Sequence, residues 1–380
     1  MKIALVHEWL TPKATGGSEL VVKEILQFID AQLFALIDFE STNPHSYLYQ
    51  KQIYTTFLQH FPFSGSGVQK YLPLLPLAIE QLNVTEYDVV LSSSHAVAKG
   101  VITRPDQLHI CYCHTPMRYA WDLTFDYLNR TKAGKGITGI FTRYLLHQLR
   151  QWDVISANRV DYFIANSHHT ARRIWRCYRR NAKVIYPPVQ VDDFPFQAQK
   201  ADFYLVVSRL VSYKKVSLIV DAFNHLGLPL VIIGEDGTDS EEIKAKAKSN
   251  ITLLGTVDDA TLKQYMSNAK AFVYVACEDF GIAIVEAQAC GTPVIAYAGG
   301  GALETVIDIR EFPDTGTGIL FPSQTVTGII EGVQAFQELE AKFKPENNRH
   351  HAQRFDAKTF QESYLKFFDD CLQDFRHNLT

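Results

Sequence analysis

The stretch "EDFGIAIVEAQACGTPVIA", residues 278–296, holds two glutamates eight positions apart in an otherwise apolar sequence. The run "KAFVYVAC" before it is typical of a buried strand, "EDFG" of a loop, and "IAIVEAQAC" of a helix that Gly291 ends. Glu278 would then lie just before a helix N-terminus and Glu286 within the helix. A carboxylate in so apolar a helix is costly unless something pairs with it. The plain alternative is one partner for the helix dipole and one exposed helical glutamate.

The same alternation of strand and helix runs through the chain. Short continuous apolar runs such as "QLFALID", "DVVLSSSH" and "LPLVIIGE" alternate with segments of helix length, as parallel strands buried on both faces do. The paired prolines of "YPPV", residues 186–189, interrupt the pattern. We therefore predict an α/β protein of two doubly wound Rossmann-like domains, residues 1–187 and 188–359. An aromatic-faced helix at about 360–380 would pack back on the first domain. Ligands of such sheets bind at the carboxyl ends of strands, so we expect the site in a cleft where the two domains face each other.

Composition excludes several classes of function. The chain has 380 residues, is 47 % hydrophobic and carries a net charge of −4 at pH 7, which favours globular domains and argues against a nucleic-acid partner. The six cysteines lack metal-ligand spacing, no D-x-D pair occurs, and neither glycine fingerprint for phosphate is present. We therefore expect reduced cysteines, no metal, no bound cofactor, no membrane-spanning segment and a cytoplasmic location.

Two loops after predicted strands are suited to bind an anion. In "WLTPKATGGSELVV", Gly16 and Gly17 precede a helix that Ser18 could cap, and free backbone N–H groups there could face a phosphate. In "SRLVSYKK", Arg209 and Lys214 follow a buried strand, where a guanidinium fork and a point charge would suit a diphosphate. A flexible loop and a solvated basic loop are the alternatives.

A third candidate segment is "YCHTPMRYAWD". His114 ends an apolar strand, and Arg118, Tyr119 and Trp121 follow it. A histidine at the carboxyl end of a strand is a catalytic candidate, and the aromatic rings could stack on a sugar. A structural histidine and an aromatic core are the commoner explanations of such residues.

Basic residues are concentrated late in the predicted first domain. "RTKAGKGITGIFTRYLLHQLRQW" is cationic and partly amphipathic, and "HHTARRIWRCYRRNAK" has six cations and no acid. Such a surface could lie on anionic lipid, where each cation adds about 1 kcal/mol. A solvated helix face explains it equally well. The cations singled out as candidates are Lys135, Arg143, Arg150, Arg172, Arg173, Arg176, Arg179, Arg180 and Lys183.

Together these segments resemble the retaining family 4, or group 1, glycosyltransferases of the GT-B fold along nearly the whole chain. The glutamate pair and the "GGGALETV" that follows are the most specific part of the likeness. "SRLVSYKKVSLIVDAF" and "YCHTPMRYAWD" look like the branch that builds O-antigens and exopolysaccharides, and the narrowest likeness is to a cyanobacterial envelope-polysaccharide glucosyltransferase. The resemblance implies that the protein transfers a hexose from a nucleotide diphosphate sugar with retention of configuration and without a metal. UDP-glucose is the favoured donor and GDP-mannose the second candidate. The acceptor would be a saccharide or a lipid-linked saccharide at the inner face of the membrane.

The resemblance also implies a role for each candidate. Glu286 would bind the ribose hydroxyls and Glu278 would lie by the transferred sugar. Arg209 and Lys214 would bind the diphosphate, and His114 would lie near the 6-hydroxyl and the anomeric carbon. Arg118, Tyr119 and Trp121 are candidates for the acceptor, and backbone groups would contact the donor and its base at Gly16, Gly17, Thr256, Val257, Phe280, Gly281 and Ile282.

Three competing interpretations stay open. A GT-B-like nucleotide-sugar epimerase would convert the donor without an acceptor. A phosphorylase would need pyridoxal phosphate on a lysine. A non-catalytic sugar-binding protein would fill the same site without turnover. One departure from the family pattern is Ala283, where many relatives have a larger or polar residue, and it leaves the shape of the sugar pocket open.

Overall fold

The computed structural model describes residues 1–12, 16–130 and 136–379, so Lys135 of the predicted basic surface lies outside the described residues. The chain divides into two compact units, Met1–Pro187 with Phe360–Thr380, and Pro188–Thr359. Each unit is a parallel sheet with helices, so the predicted α/β class is confirmed. No helix in the described part of the chain is both long and apolar enough to cross a membrane.

The first unit is built on a seven-stranded parallel sheet in the order β3-β2-β1-β4-β5-β6-β7, as far as the described residues show. Its strands follow the apolar runs of the sequence, except for the two-residue β3, which is too short to leave a sequence pattern. The strands are β1 (Ile3–Leu10), β2 (Gln32–Asp38), β3 (Ile53–Tyr54), β4 (Val89–Ser94), β5 (Leu108–Cys113), β6 (Tyr162–Ala165) and β7 (Ala182–Val184). The helices are α1 (Gly17–Phe28), α2 (Ser64–Gly67), α3 (Leu75–Glu80), α4 (Thr124–Arg130), α5 (Gly136–Ala157) and α6 (His168–Tyr178).

The second unit has a six-stranded parallel sheet in the order β10-β9-β8-β11-β12-β13, again within the described residues. Asp258 caps the helix that begins at Asp259, because its carboxylate accepts a hydrogen bond from Thr261 N at 2.8 Å. The strands are β8 (Tyr204–Val207), β9 (Leu230–Ile233), β10 (Ile251–Gly255), β11 (Ala271–Tyr274), β12 (Val294–Tyr297) and β13 (Gly318–Phe321). The helices are α7 (Val216–Leu226), α8 (Ser240–Lys246), α9 (Asp259–Asn268), α10 (Ile282–Ala289), α11 (Ala302–Thr305), α12 (Val326–Leu339) and α13 (Pro345–Ala352).

The last helix, α14 (Ala357–Leu379), belongs to the first unit from Phe360 onward. Its aromatic face, with Phe360, Tyr364 and Phe368, is buried in one core cluster with Leu5 of β1 and Tyr112 of β5. The C-terminal segment therefore completes the core on one face of the first sheet.

Both sheets reverse their strand order at one place. In the first sheet β1 lies beside β4, and in the second β8 lies beside β11, with later strands added outward on each side. Loops from two neighbouring strands diverge there at the carboxyl edge and leave a crevice, the usual ligand position in doubly wound sheets. The candidate residues of each unit are therefore expected at these two switch points.

Candidate active site

The switch point of the second sheet brings Lys214 and Glu278 together. Lys214 lies in a short 3₁₀ turn, Ser212–Lys214, that follows β8, and Glu278 lies in the loop that follows β11. The Lys214 Nζ atom is 2.7 Å from Glu278 Oε1, and the two side chains are 15 % and 22 % exposed. Most of the solvent that would screen this ion pair is therefore excluded. Glu278, the first glutamate of the 278–296 stretch, is thus partly buried and has a cation as its partner.

Tyrosine rings orient both candidate cations of this loop. The Lys214 ammonium lies 5.3 Å from the ring centre of Tyr213 and 5.9 Å from that of Tyr274, within the range of cation–π attraction. Arg209 is exposed, and its Nη2 donates to the Tyr213 hydroxyl at 3.3 Å. Tyr213 was not singled out from the sequence, although its place between the two cations was the available signal.

The Glu278 loop rests directly on a run of three glycines, Gly299–Gly301. The N–H of Gly301 donates to the Glu278 carbonyl at 2.9 Å. A Cβ atom at Gly300 would lie 2.1 Å from the same carbonyl oxygen, far inside contact distance. Sequence reasoning used these glycines only as part of a family signature. The structure gives these glycines a physical role, because only residues without a side chain can pack so closely against the loop.

Helix α10 starts directly after this loop. Gly281 precedes its first residue, Ile282, in the left-handed conformation with φ of +88°, which glycine adopts at little cost. Phe280 is buried with its ring 5.4 Å from that of Phe355. The N–H groups in the first turn of a helix have no carbonyl partner within the helix and favour an anion. Gly291 ends the helix with φ of +76°, as predicted.

Glu286 is partly buried on α10, not an exposed helical glutamate. Burial, with repulsion from Asp259 of α9, raises the pKa of Glu286 to about 7, and Lys263 opposes this shift. Lys263 is itself bonded to Asp259, at 2.7 Å, and so is not a dedicated partner of Glu286. The carboxyl therefore changes its charge near neutral pH, as a group reserved for a ligand can. Thr256, which is exposed, and Val257, which is partly exposed, follow Gly255 at the end of β10.

In the first unit, His114 lies immediately beyond β5, and its N–H continues the pairing by donating to the Ser94 carbonyl at 2.8 Å. Its ring nitrogen Nε2 is 2.8 Å from the hydroxyl of Ser93 in β4. The rings of Tyr112 and His95 lie 5.0 and 6.4 Å away. Burial, together with His95 and His7, lowers the pKa of His114 well below its usual value. The side chain is therefore neutral at physiological pH.

Gly16 and Gly17 form the N-terminus of α1, but the prediction that Ser18 caps this helix is wrong. The helix begins at Gly17 with Gly16 as the capping residue. Ser18 lies inside the first turn and donates to Glu19 Oε2 at 2.8 Å, and the same oxygen accepts from Gly16 N at 2.9 Å. Glu19 thus satisfies an N–H group of the helix start, as glutamate does at the third helical position.

Four polar residues around His114 were not singled out from the sequence, two of them fully buried and two partly buried. For three of them the available signal was polar side chains in otherwise apolar segments, in "VHEW" of β1 and "SSSH" at the end of β4, and Glu19 of α1 left no such signal. These residues are His7, Glu19, Ser93 and His95.

The aromatic candidates for the acceptor site make hydrogen bonds and packing contacts within the protein. The indole N–H of Trp121 donates to Asp153 Oδ2 at 2.7 Å, and this buried carboxylate also accepts from Lys99 and Tyr178. Trp121 and Tyr119 are partly buried against core residues. Arg118 lies 3.5 Å from Asp122. Much of the aromatic surface therefore serves packing, and the acceptor role of these residues stays a prediction.

Models of two families match consecutive parts of this chain. The model "Glycosyltransferase Family 4" matches residues 15–193, and "Glycosyl transferases group 1" matches residues 191–354. The chain therefore belongs to the group 1, family 4 glycosyltransferases, and its fold is GT-B. The family and the fold expected from the sequence are both confirmed. Retention, metal independence and the roles of single residues stay predictions.

Individual relatives are distant. O-antigen chain mannosyltransferase C of Escherichia coli is 20 % identical, over 98 % of this chain and 99 % of its own length. D-inositol 3-phosphate glycosyltransferase of Mycobacteroides abscessus is 28 % identical over 51 % of this chain, and the alignment spans only 47 % of that relative. The chain thus matches some relatives over about half their length and others over nearly all of it.

Among solved structures, Anabaena HepE in complex with UDP superposes with a TM-score of 0.69 at 18 % identity, over 97 % of this chain and 100 % of that one. Sucrose-phosphate synthase of Thermosynechococcus elongatus gives a TM-score of 0.71 at 16 % identity, over 98 % and 100 %. At such identities the likeness establishes the fold alone.

Proposed function

We propose that this glycosyltransferase moves a hexose from a nucleotide diphosphate sugar to a saccharide or lipid-linked acceptor during polysaccharide synthesis. UDP-glucose is the favoured donor and GDP-mannose the second candidate. The family supports glycosyl transfer, and the E. coli relative that aligns along the whole chain is an O-antigen enzyme. HepE, which shares the fold, has been crystallised with UDP-glucose. The proposed transfer retains configuration at the anomeric carbon and needs no metal.

The observation that carries the proposal is the Lys214–Glu278 ion pair at the switch point beside the start of α10. The leaving diphosphate gains negative charge as its bond to the sugar breaks, so preorganised cations and helix N–H groups stabilise the transition state most. Lys214, Arg209 and the first turn of α10 supply such groups within one unit. Glu278 holds Lys214 in place, and its second oxygen can accept a hydrogen bond from a sugar hydroxyl.

Glu286 would bind a second part of the donor, the ribose. An ionised carboxylate accepts hydrogen bonds at both oxygens, which suits the paired hydroxyls of ribose. Its raised pKa is explained by burial without a dedicated cation. A bound diol would donate two hydrogen bonds and so favour the charged form. Binding of the nucleotide and ionisation of Glu286 are therefore coupled.

The chemical step balances without a side-chain base. The bond between the anomeric carbon and the diphosphate oxygen breaks, and a bond from the acceptor oxygen forms on the same face. The acceptor's proton passes to the departing phosphate oxygen, whose basicity rises as the bond breaks. The protein's part is to position the two substrates and to stabilise the growing charge.

A donor screen tests this function. The protein is incubated with each of several nucleotide sugars, with and without a lipid-linked saccharide acceptor, and released nucleotide and glycosylated product are measured. Acceptor-dependent release with one donor is the expected result, and the anomeric configuration of the product gives the stereochemistry. Conversion of the donor to an epimer without acceptor would favour the epimerase interpretation. Binding of donor without turnover under any condition would favour a sugar-binding protein.

We further propose that the first unit contacts an anionic membrane, where a lipid-linked acceptor would reside. The first half of α5 exposes a stripe of apolar side chains at helical spacing: Ile137, Ile140, Phe141 and Tyr144 are 86, 71, 60 and 57 % exposed. The opposite face, with Leu146 and Leu149, packs on Leu128 of α4. An apolar stripe of this kind is typical of a helix that lies in a lipid interface.

Cations next to this stripe give the complementary charge. Arg143 is exposed on α5 itself, and α6, which packs against α5, exposes Arg172, Arg176 and Arg179. Three other arginines of the predicted surface are instead bound within the protein. Arg150 donates to the Ala120 carbonyl at 2.9 Å. Arg173 donates to Asp122 and Thr115, both at 2.6 Å, and Arg180 donates to backbone carbonyls. The remaining cations would attract anionic lipid, and the apolar stripe would then enter the interface.

A further inference from the structure

A chain of polar contacts crosses the switch point of the first sheet. His7 of β1 lies opposite Ser93 of β4 in the register of the two strands, and both are fully buried. His7 Nδ1 is 3.2 Å from both the carbonyl oxygen and the hydroxyl of Ser93. The same hydroxyl is 2.8 Å from His114 Nε2. One serine hydroxyl of β4 therefore joins a histidine of β1 to a histidine that directly follows β5.

The chemistry of these atoms fixes where the hydrogens lie. A carbonyl oxygen can only accept, so His7 Nδ1, which contacts the Ser93 carbonyl, must carry a hydrogen. The same N–H can reach the Ser93 hydroxyl, which then acts as an acceptor toward His7. A hydroxyl could also accept from both rings, but Ser93 is fully buried, and His114 Nε2 is the contact of this hydroxyl that can accept its hydrogen. Since Nε2 of His114 accepts and the ring is neutral, its single hydrogen sits on Nδ1.

Glu19 anchors the other end of the chain. Its Oε1 lies 3.7 Å from His7 Nε2, and its Oε2 accepts from Gly16 N and from the Ser18 hydroxyl. Burial alone would raise the pKa of Glu19, but His7 and the Ser18 hydroxyl lower it to about 2. Hydrogen bonds connect His7 through Ser93 to His114, and the 3.7 Å contact of Glu19 with His7 brings the glycine loop next to them.

We propose that His7 and Ser93 are positioning residues that hold His114 as a hydrogen-bond donor at Nδ1. His114 keeps 8 % of its surface exposed, enough for one ring edge to reach a ligand oxygen. In this state it donates to an oxygen of the bound sugar and does not remove a proton from the acceptor. The identity of that ligand rests on the proposed function, whereas the tautomer does not.

The tautomer is measured directly by nitrogen-15 NMR of the histidine rings in the full chain, with the His114 signals assigned from a His114→Gln variant. The expected spectrum has a protonated Nδ1 and an unprotonated Nε2 on His114, with or without an active donor. A protonated Nε2 in the wild-type protein would overturn the proposal, whatever the enzyme's substrate. Because this readout needs no turnover, its failure is distinct from failure of the proposed function.

Variants of two adjacent serines test the role of the contact. Ser93→Ala removes the donor to His114 and should shift the hydrogen toward Nε2, lowering kcat about tenfold with a smaller change in donor KM. Ser93→Thr keeps a hydroxyl and should retain the tautomer. The matched control is Ser92→Ala, since Ser92 is the preceding residue and its hydroxyl makes the same 2.8 Å contact with Nε2 of a different histidine, His109. An equal loss of kcat in the Ser92 and Ser93 variants, with the His114 tautomer unchanged, would reduce the contact to a packing role.

Discussion

The ammonium of Lys214 lies 2.7 Å from the carboxylate of Glu278, across the point where the second sheet reverses its strand order. The lysine follows β8 and the glutamate follows β11, 64 positions apart in the printed sequence. The family resemblance implies a separate role for each residue, Lys214 for the diphosphate and Glu278 for the sugar. Their pairing implies that neither acts alone, because each holds the other in place.

Replacing Lys214 by alanine should lower kcat more than it raises donor KM. The charge that Lys214 stabilises grows in the transition state, and loss of a hydrogen bond to a charged group costs about 1.5–3 kcal/mol, or roughly tenfold to a hundredfold in rate. Steady-state kinetics should also give a smaller effect for Lys214→Ala in a Glu278→Gln background, because the partner is already gone. Lys342→Ala, an exposed lysine of the same unit, is the control. Strictly additive losses in the double variant would contradict the coupling.

Replacing Glu286 by glutamine should weaken UDP binding, and the effect should depend on pH. The pKa of Glu286 is raised to about 7, so its ionised form predominates above pH 7 and is lost below it. The carboxylate is the form that accepts two ribose hydroxyls, so wild-type affinity should fall as the pH drops through 7. Calorimetry at pH 8 should give at least about tenfold weaker binding for the variant.

Two measurements distinguish the effect of Glu286 ionisation on UDP binding from that of the UDP phosphates, which also titrate near neutral pH. Titration of the UDP phosphates affects both proteins equally, so the UDP affinities of the wild type and the variant should converge toward pH 6. Calorimetry of the wild type in buffers of different ionisation enthalpy at pH 7 should also detect proton release that the variant lacks. A difference in affinity that is the same at every pH would refute the ribose assignment.

Gly300→Ala should abolish most activity while the protein stays folded. A Cβ there would lie 2.1 Å from the Glu278 carbonyl, so the loop that carries Glu278 must move. Gly227→Ala is a matched control, because Gly227 has a similar positive φ, +69° against +63°, and open space around its Cβ position. Both variants incur the cost of a left-handed alanine, about 1 kcal/mol. The unfolding temperature should therefore fall in both variants, whereas activity should fall only in Gly300→Ala. Equal activities of the two variants would contradict the role of Gly300 in supporting the Glu278 loop.

The sequence predicted the elements of the fold well and the local contacts poorly. Continuous apolar runs marked nearly every strand, because parallel strands are buried on both faces, whereas β3 has only two residues, Ile53 and Tyr54, and leaves no pattern. A sequence also does not show strand order. The pairing of Lys214 with Glu278 depends on β8 lying beside β11, and the contact of Ser93 with His114 depends on β4 lying beside β5. The error at Ser18 came from choosing a favoured capping residue where the helix starts one residue earlier, with Glu19 satisfying its first N–H.

EDTA should leave turnover intact. The proposed transition state is stabilised by Arg209, Lys214 and the start of α10, and a divalent cation would compete with these groups for the diphosphate. Among the described residues no cluster of three metal-binding side chains occurs. Turnover is measured after dialysis against EDTA, and again after adding magnesium or manganese. Loss of activity with recovery on addition of either ion would overturn the metal-free mechanism.

The last prediction concerns the apolar stripe of α5. The chain should sediment with vesicles containing anionic lipid, and Ile140→Ser with Phe141→Ser should weaken this binding at least about tenfold, since burying one such side chain contributes about 1.5–3 kcal/mol when complete. Phe312→Ser, which removes an equally exposed aromatic residue from the second unit, is the control and should bind like the wild type. Raised salt should weaken the binding of the wild type, because exposed charges are screened beyond about 10 Å at 0.1 M. The double variant should keep a weaker binding that is more sensitive to salt, because its arginines contribute a larger share of the attraction. Equal binding to neutral and anionic vesicles, or none to either, would reject membrane contact through this surface and leave the arginines as a solvated helix face.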